Sequence, residues 1–237
     1  MKKLTTLLGA SVLALATFAA SATPININGV TWDPAAPNDF RAQYDFAQQF
    51  DGSPEIAGTE LFGYGIVRSI NGTNESVFCT ACELTFEIGG FFTDGAGGFV
   101  QNQGFLRIFA DSTPNYDFTN SPMDAGTATD GNLWLELLAQ DIAFITLSPD
   151  PSTPYDTGIL SVSWLLGDTS ASAFNNFVPG TINGNDASSV SEASLVVGNT
   201  FDGSGTIRAA TIPEPASLAI LGLGLLGMGA LSRRRKA

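Results

Sequence analysis

The chain has 237 residues, with 23 acidic and 10 basic side chains, two cysteines and no histidine. Six of the basic residues (Lys2, Lys3, Arg233, Arg234, Arg235 and Lys236) sit at the two ends, so the middle keeps only Arg41, Arg68, Arg107 and Arg208 against 22 acids once Glu214 is set aside, a net −18. Such a charge disfavours nucleic acid and anionic lipid as partners, and the missing histidine and mid-chain lysine exclude Ser-His-Asp, Cys-His, histidine–zinc and Ser-Lys sites.

Residues 1–22 read as a secretory signal peptide. Lys2 and Lys3 precede an apolar stretch over 7–20, and Ala20-Ser21-Ala22 is a small-x-small cleavage site before Thr23. Residues 23–211 follow as one domain, long enough for a core of its own. Its short apolar runs alternate rather than recur at helical spacing. In 61–70 one face holds Phe62, Tyr64, Ile66 and Ile70, broken by Arg68. In 83–88 it is Leu84, Phe86 and Ile88, with Thr85 and Glu87 opposite. Leu106, Ile108 and Ala110 face away from Phe105, Arg107 and Phe109 in 105–110. The runs 133–138 and 142–147 are apolar on both faces and predict an interior strand pair, although 133–147 also fits a helix. In 159–166, Leu160, Val162, Trp164 and Leu166 oppose Ser161 and Ser163. Further strands are expected over 25–32, 40–50, 195–200 and 206–211. Turn signals such as Asn71-Gly72, Asp130-Gly131 and Asn183-Gly184 separate the runs. The fold expected is all-β, an antiparallel β-sandwich, jelly-roll-like or of another topology. Residues 112–129 and 148–157 form its long loops.

Cys79 and Cys82 are the only cysteine pair. In an exported setting a disulfide is the first reading, with a redox site or a metal pair as alternatives. Residues three apart on a strand are separated by roughly 10 Å, beyond bridging distance, so Thr80-Ala81 must turn. Carboxylate chemistry such as a glycosidase pair is the one catalytic option left, with Glu83, Glu87 and Glu136 as possible members. Most such residues on an acidic exported domain are simply solvated, so no enzyme is expected. No cofactor is expected either, except that calcium could be held by Asp111, Asn115 and Asp117, together with Asp124 and Asp130. Asp150 with Asp156, and Asn183, Asn185 and Asp186, form two further groups. The same residues are equally the stock of polar turns. Trp32, Trp134 and Trp164, with Tyr44, Tyr116 and Tyr155, would make a sugar-stacking platform if exposed. Within apolar runs they would be core instead.

The tail, 212–237, has three parts in order. Pro213-Glu214-Pro215 marks a helix start, because proline cannot continue a helix backwards. Residues 216–231 contain one polar side chain, Ser217, and span roughly 24 Å as a helix, a little short of a ~30 Å hydrocarbon core. Arg233, Arg234, Arg235 and Lys236 then favour the cytoplasmic side. A single transmembrane helix is therefore expected, with the preceding domain outside. The three parts resemble the PEP-CTERM sorting signal of Gram-negative bacteria. That resemblance implies an exosortase as partner, a membrane-embedded transpeptidase-like enzyme acting near Pro213, Glu214 and Pro215. It also implies transient anchoring in the inner membrane, then a place at the cell surface or in the extracellular matrix. Proteins of that kind often accompany exopolysaccharide and biofilm matrix. The reading is thus an exported, non-catalytic surface or matrix protein that binds no nucleic acid. The alternative is a carbohydrate-binding β-sandwich acting on secreted polysaccharide.

Overall fold

The alternating runs become strands, and the strands close into a ring. The computed structural model describes residues 23–36, 39–147, 157–197 and 200–212. The expected signal peptide, nearly all of the 148–157 loop, and residues 213–237, with the expected membrane helix and the basic cluster, lie outside them. A hairpin of β1 (Ile25–Ile27) and β2 (Val30–Trp32) leads into β3 (Phe40–Phe50), β4 (Glu60–Ile70) and the two-residue β5 (Thr73–Asn74). A one-turn helix α1 (Glu75–Phe78) precedes β6 (Glu83–Phe92) and β7 (Phe105–Asp111). After a second single turn, α2 (Ala125–Ala128), come β8 (Asn132–Thr146), β9 (Thr157–Leu166), β10 (Ala187–Val197) and β11 (Thr200–Ala209).

Strands β3, β11, β10, β9, β8, β7, β6 and β4 are neighbours in that order, and β4 pairs back onto β3. The result is an eight-stranded antiparallel barrel in which sequence neighbours are spatial neighbours. The sandwich expectation is therefore corrected. A sandwich and a barrel share the same period-two pattern, and what separates them is one set of hydrogen bonds, between the first long strand and the last. That seam is ten residue pairs long, from Thr200↔Gln49 to Ala209↔Phe40. Asp39 reinforces it by accepting hydrogen bonds from the Thr211 backbone N–H (2.6 Å) and from the Thr211 hydroxyl.

Large rings fill the interior, and they fit because glycines face them. Tyr44 lies opposite Gly205 and Phe46 opposite Gly203 across the β3–β11 seam, and Phe86 lies opposite Gly65 across β4–β6. A Cβ added at Gly205 would sit 2.5 Å from the Tyr44 ring, and one at Gly65 would sit 2.3 Å from Phe86. At Gly203 the added atom would also meet the Glu192 carbonyl oxygen at 2.3 Å. One barrel end is closed by Trp32, Phe40, Trp134 and Phe177, in edge-on and stacked contacts with Phe40–Phe177 centroids 5.1 Å apart. The β1–β2 hairpin supplies part of this plug. Its turn is Asn28-Gly29, both at positive φ, as a two-residue hairpin loop requires. The Trp134 indole N–H donates to the Ile27 carbonyl at 3.2 Å and so pins the hairpin to β8.

Several faces and boundaries differ from expectation. In β4 the face of Phe62, Tyr64, Ile66 and Ile70 is divided: Ile70 joins the main core with Leu61 and Val67, while Tyr64 and Ile66 pack outside the barrel with Tyr116, Phe118 and Ala128. The segment between β7 and β8 lies on that patch, so an outward apolar face is covered by a loop. A register shift between Gln43 and Tyr44 where β3 meets β4 lets both ends of β4 contribute inward residues. Residues 133–147 are no pair of strands and no helix, but essentially one 15-residue strand, with a register irregularity between Ala139 and Asp141 against β9. In β6 and β9 the inner faces are as the alternation predicts, and in β7 the face of Leu106, Ile108 and Ala110 is the inner one.

Trp134 is fully buried and joins plug, hairpin and β8. Trp134→Ala is expected to cost about 3–5 kcal/mol in chemical denaturation, whereas Val190→Ala, on the exposed outer wall, should change stability by less than about 0.5 kcal/mol.

Candidate functional site

The barrel interior is the first place to look for a ligand, and it is filled. Among the described residues, two cavities of about 20 Å³ each lie within it, room for roughly one water apiece and far below the ~300 Å³ of a small-molecule pocket. One lies among Phe50, Phe99, Phe144 and Phe201, towards the end opposite the aromatic plug. The other is lined by Tyr44, Phe86, Trp164, Ser189 and Ser191. The polar atoms there satisfy one another. The Trp164 indole N–H donates to Ser189 Oγ at 2.9 Å, and Ser189 and Ser191 bond the Tyr44 phenol, whose pKa burial pushes up to about 12.

This arrangement overturns the sugar platform. Trp32, Trp134 and Trp164 are all at most 3% exposed, and Tyr44 and Tyr116 are buried as well; Tyr155 lies outside the described residues. The rings that alternation placed in strands point inward, as core.

The carboxylates named for catalysis separate into two groups on the wall. Glu87, Arg107 and Glu136 stand in one row across β6, β7 and β8. The guanidinium bonds Glu136 at 2.7 Å and Glu87 at 3.1 Å while lying 4.1 Å above the Phe105 ring. Hydrogen bonding to Glu136 and then to Glu87 outweighs desolvation and raises the Arg107 pKa. Both glutamates are thus engaged by one cation. Glu83 is four residues from Glu87, roughly 13 Å along the strand. It is 3% exposed and accepts hydrogen bonds from the backbone N–H groups of Asn115 (2.8 Å) and Tyr116 (3.1 Å). Its work is to fix the loop that covers the outer face of β4.

The calcium candidates are likewise spent locally. Asp111 accepts from Thr113 N, and Asp117 from Thr119 N, Asn120 N and the Asn120 side chain. That Asn120 contact is the main reason the Asp117 pKa is lowered. Asn115 donates to Asp130 at 2.9 Å, and Asp124 caps α2 through Gly126 N. Asp186 accepts from Leu166 N and Gly180 N, both at 2.7 Å, and so ties the β9–β10 connection to β9. Among the described residues no group of three or more acidic or cysteine side chains is arranged to hold a metal ion. Asp150 and Asp156 lie outside them.

Cys79 and Cys82 form a disulfide, with Cα atoms 5.1 Å apart. Thr80-Ala81 makes the turn that the spacing demands, and Cys82 N donates back to the Cys79 carbonyl. Cys79 closes α1 at its C-terminal end, so no helix N-terminus is available to lower a thiol pKa. Both residues are buried, and Gly29 at the tip of the β1–β2 hairpin sits over the bridge, with space to the Cys82 sulfur for hydrogen but not for a comfortable methyl (3.3 Å). The bridge is a structural part of the plugged end.

The wall of β3, β10 and β11 reverses the pattern of a membrane barrel. Arg41, Gln43, Asp45, Ser188, Glu192, Ser204, Thr206 and Arg208 face out, while Tyr44, Phe46, Ala193 and Ile207 face in. Membrane barrels carry their apolar band outside. Among the described residues no helix is long and apolar enough to cross a membrane, and the predicted span, 216–231, lies outside them.

The remaining functional feature is the tail. Residues 211–236 match the family model of the PEP-CTERM protein-sorting motif. The match includes Pro213, Glu214 and Pro215, the apolar run, and the basic cluster Arg233–Lys236. A chain with this motif is exported and carries a membrane-associated sorting signal that an exosortase processes, after which the protein resides at the cell surface. No curated protein and no solved structure matches the chain.

Glu83 yields a pH prediction. Burial, with smaller contributions from Asp111 and Asp130, raises its pKa above the ordinary 4.5 despite the two backbone donors. A carboxyl with a raised folded pKa costs nothing while protonated and penalises the fold as pH climbs through that value. Glu83→Gln should therefore match wild type at pH 4. It should gain in relative melting temperature as pH rises above about 4.5 and level off once the wild-type carboxyl is ionised. Parallel melting curves from pH 4 to 8 would show that Glu83 carries no such penalty.

Proposed function

We propose that this protein is a non-catalytic component of the cell surface or extracellular matrix, a barrel delivered whole and released from its sorting tail. The sorting motif at residues 211–236 carries the reading. Three properties of the barrel support it. Its interior holds side chains rather than a ligand-sized cavity. Glu87 and Glu136 are engaged by Arg107, and Glu83 by the backbone of its covering loop. The domain has neither histidine nor lysine to serve as a general base or nucleophile. An acidic, disulfide-bridged, aromatic-filled barrel suits long residence outside the cell, where rigidity matters more than turnover. Association with exopolysaccharide or biofilm matrix belongs to this reading, as the surroundings into which such a protein is sorted. A glycan partner, if engaged, would meet the outer wall, because the tryptophans are inside.

Mass spectrometry of the C-terminus tests the sorting step. In a host with its exosortase, the mature protein should end near Pro213–Pro215. In an exosortase-deleted host it should keep the basic cluster Arg233–Lys236. Replacing the Pro-Glu-Pro residues by alanine should leave export intact and abolish processing. Retention of Arg233–Lys236 in the exosortase-bearing host would contradict the reading.

A further inference from the structure

The four arginines of the barrel are used in two different ways. Among the described residues, every ion pair falls on Arg68 (with Asp45 and Glu75) or on Arg107 (with Glu87 and Glu136). Arg41 and Arg208 have none. Yet these two are direct partners across the β3–β11 seam. Residues so paired hold their Cβ atoms about 5 Å apart on one face, and like charges there are destabilising. In a domain with 22 acids and four cations, chance alone would sooner put a carboxylate opposite an arginine than a second arginine.

The surroundings add to this. Arg41 Nε is buried and lacks a hydrogen-bond partner, a loss that buried donors rarely tolerate. Asp39, two residues before it, commits its carboxylate to Thr211 on the other side of the seam. Arg41 and Arg208 line an open depression of about 390 Å³ with Ser188, Ser189, Val190 and Thr206. Ser188 is the register partner of Arg208 on β10, and Thr206 lies one outward step along β11. The depression therefore joins two guanidinium forks, one with an unfilled donor, to outward hydroxyls.

We propose that Arg41 and Arg208 form a binding site for a single oxyanion group (phosphate, sulfate or carboxylate), with the Ser188 and Thr206 hydroxyls as further donors. An oxyanion set between the forks would turn the like-charge pair into two charge-assisted contacts and supply the acceptor that Arg41 Nε lacks. The domain's net charge sets the size of the ligand. At physiological salt, exposed charges are screened beyond ~8 Å, so a small anion feels mainly the two arginines. A long polyanion would also meet the acidic remainder of the wall.

Thermal melting of the exported protein tests the site, with sodium sulfate, sodium phosphate or galacturonate against sodium chloride at equal ionic strength. Galactose serves as the neutral control. Sulfate stabilises most proteins by exclusion from their surface, so the readout is the difference between wild type and variants. The expected result is an anion-specific rise in wild type that Arg208→Gln and Arg41→Gln lose, corresponding to at least about ten-fold weaker binding. Arg107→Gln, with the same change in net charge, should keep the rise. A response to the inorganic anions alone identifies a free-anion site, and a response to galacturonate but not galactose identifies an acid-sugar site; both support the proposal. In chloride, the exposed Arg208→Gln should melt no lower than wild type, because the like-charge contact is relieved. An equal rise in wild type and Arg208→Gln, or a rise with galacturonate that galactose reproduces, would overturn it.

Discussion

Closure of the barrel depends on how large rings meet small residues across its seam. Tyr44 and Phe46 on β3 need space where β11 passes, and Gly205 and Gly203 provide it. Without those glycines the last strand could not approach the first closely enough to hydrogen-bond along its length. The sheet would keep two open edges, and edges invite pairing with other chains. The same ring-over-glycine contact recurs at Gly65 under Phe86 and Gly158 under Phe144. Glycine costs strand stability in isolation, and here the cost is offset by burial of the covering ring.

This explains why the sequence was readable in parts. Strands β6 and β9 carry large apolar residues at every second position, so Leu84, Phe86, Val162 and Trp164 announced both strand and inner face, while β7, with Phe105 and Phe109 opposite Leu106 and Ile108, announced only a strand. Strand β10 is the counterexample. Its inward positions are Ala187, Ser189, Ser191 and Ala193, small because rings from elsewhere occupy the interior. A run of serine and alanine looks like loop, and most of β10 was missed for that reason. Only the last part of β11 was foreseen, since glycine at 203 and 205 interrupts any apolar alternation over its first half. In β4, Tyr64 and Ile66 share an apolar face with Ile70 in the sequence, yet they lie outside, under Tyr116 and Phe118, while Ile70 is core. No local pattern distinguishes a face covered by the core from one covered by a loop.

The candidate sites divide along similar lines. The disulfide was legible because its spacing and compartment constrain it, and the sorting motif because its three parts occur in fixed order. The aspartates suggested a cation site, but short polar side chains in turns bond their own backbone first, as Asp111 and Asp117 do. The Glu87–Arg107–Glu136 row and the Arg41–Arg208 pair had no signal in the sequence, since both exist only through strand register. The chain therefore separates two roles: its tail decides where the protein goes, and register on the barrel wall decides what that wall can bind.

The account rests on a closed barrel with rings packed over glycines at its seam, and a double-mutant cycle between Tyr44 and Gly205 tests that directly. Gly205→Ala should destabilise the wild-type protein by about 1–3 kcal/mol, because the new methyl meets a buried ring. In a Tyr44→Ala background the same change should be neutral, or stabilising by up to about 1 kcal/mol, since alanine is the better strand residue once the ring is gone. An identical cost of Gly205→Ala in both backgrounds would mean that Tyr44 does not lie over Gly205, and that the β3–β11 seam is not formed as described.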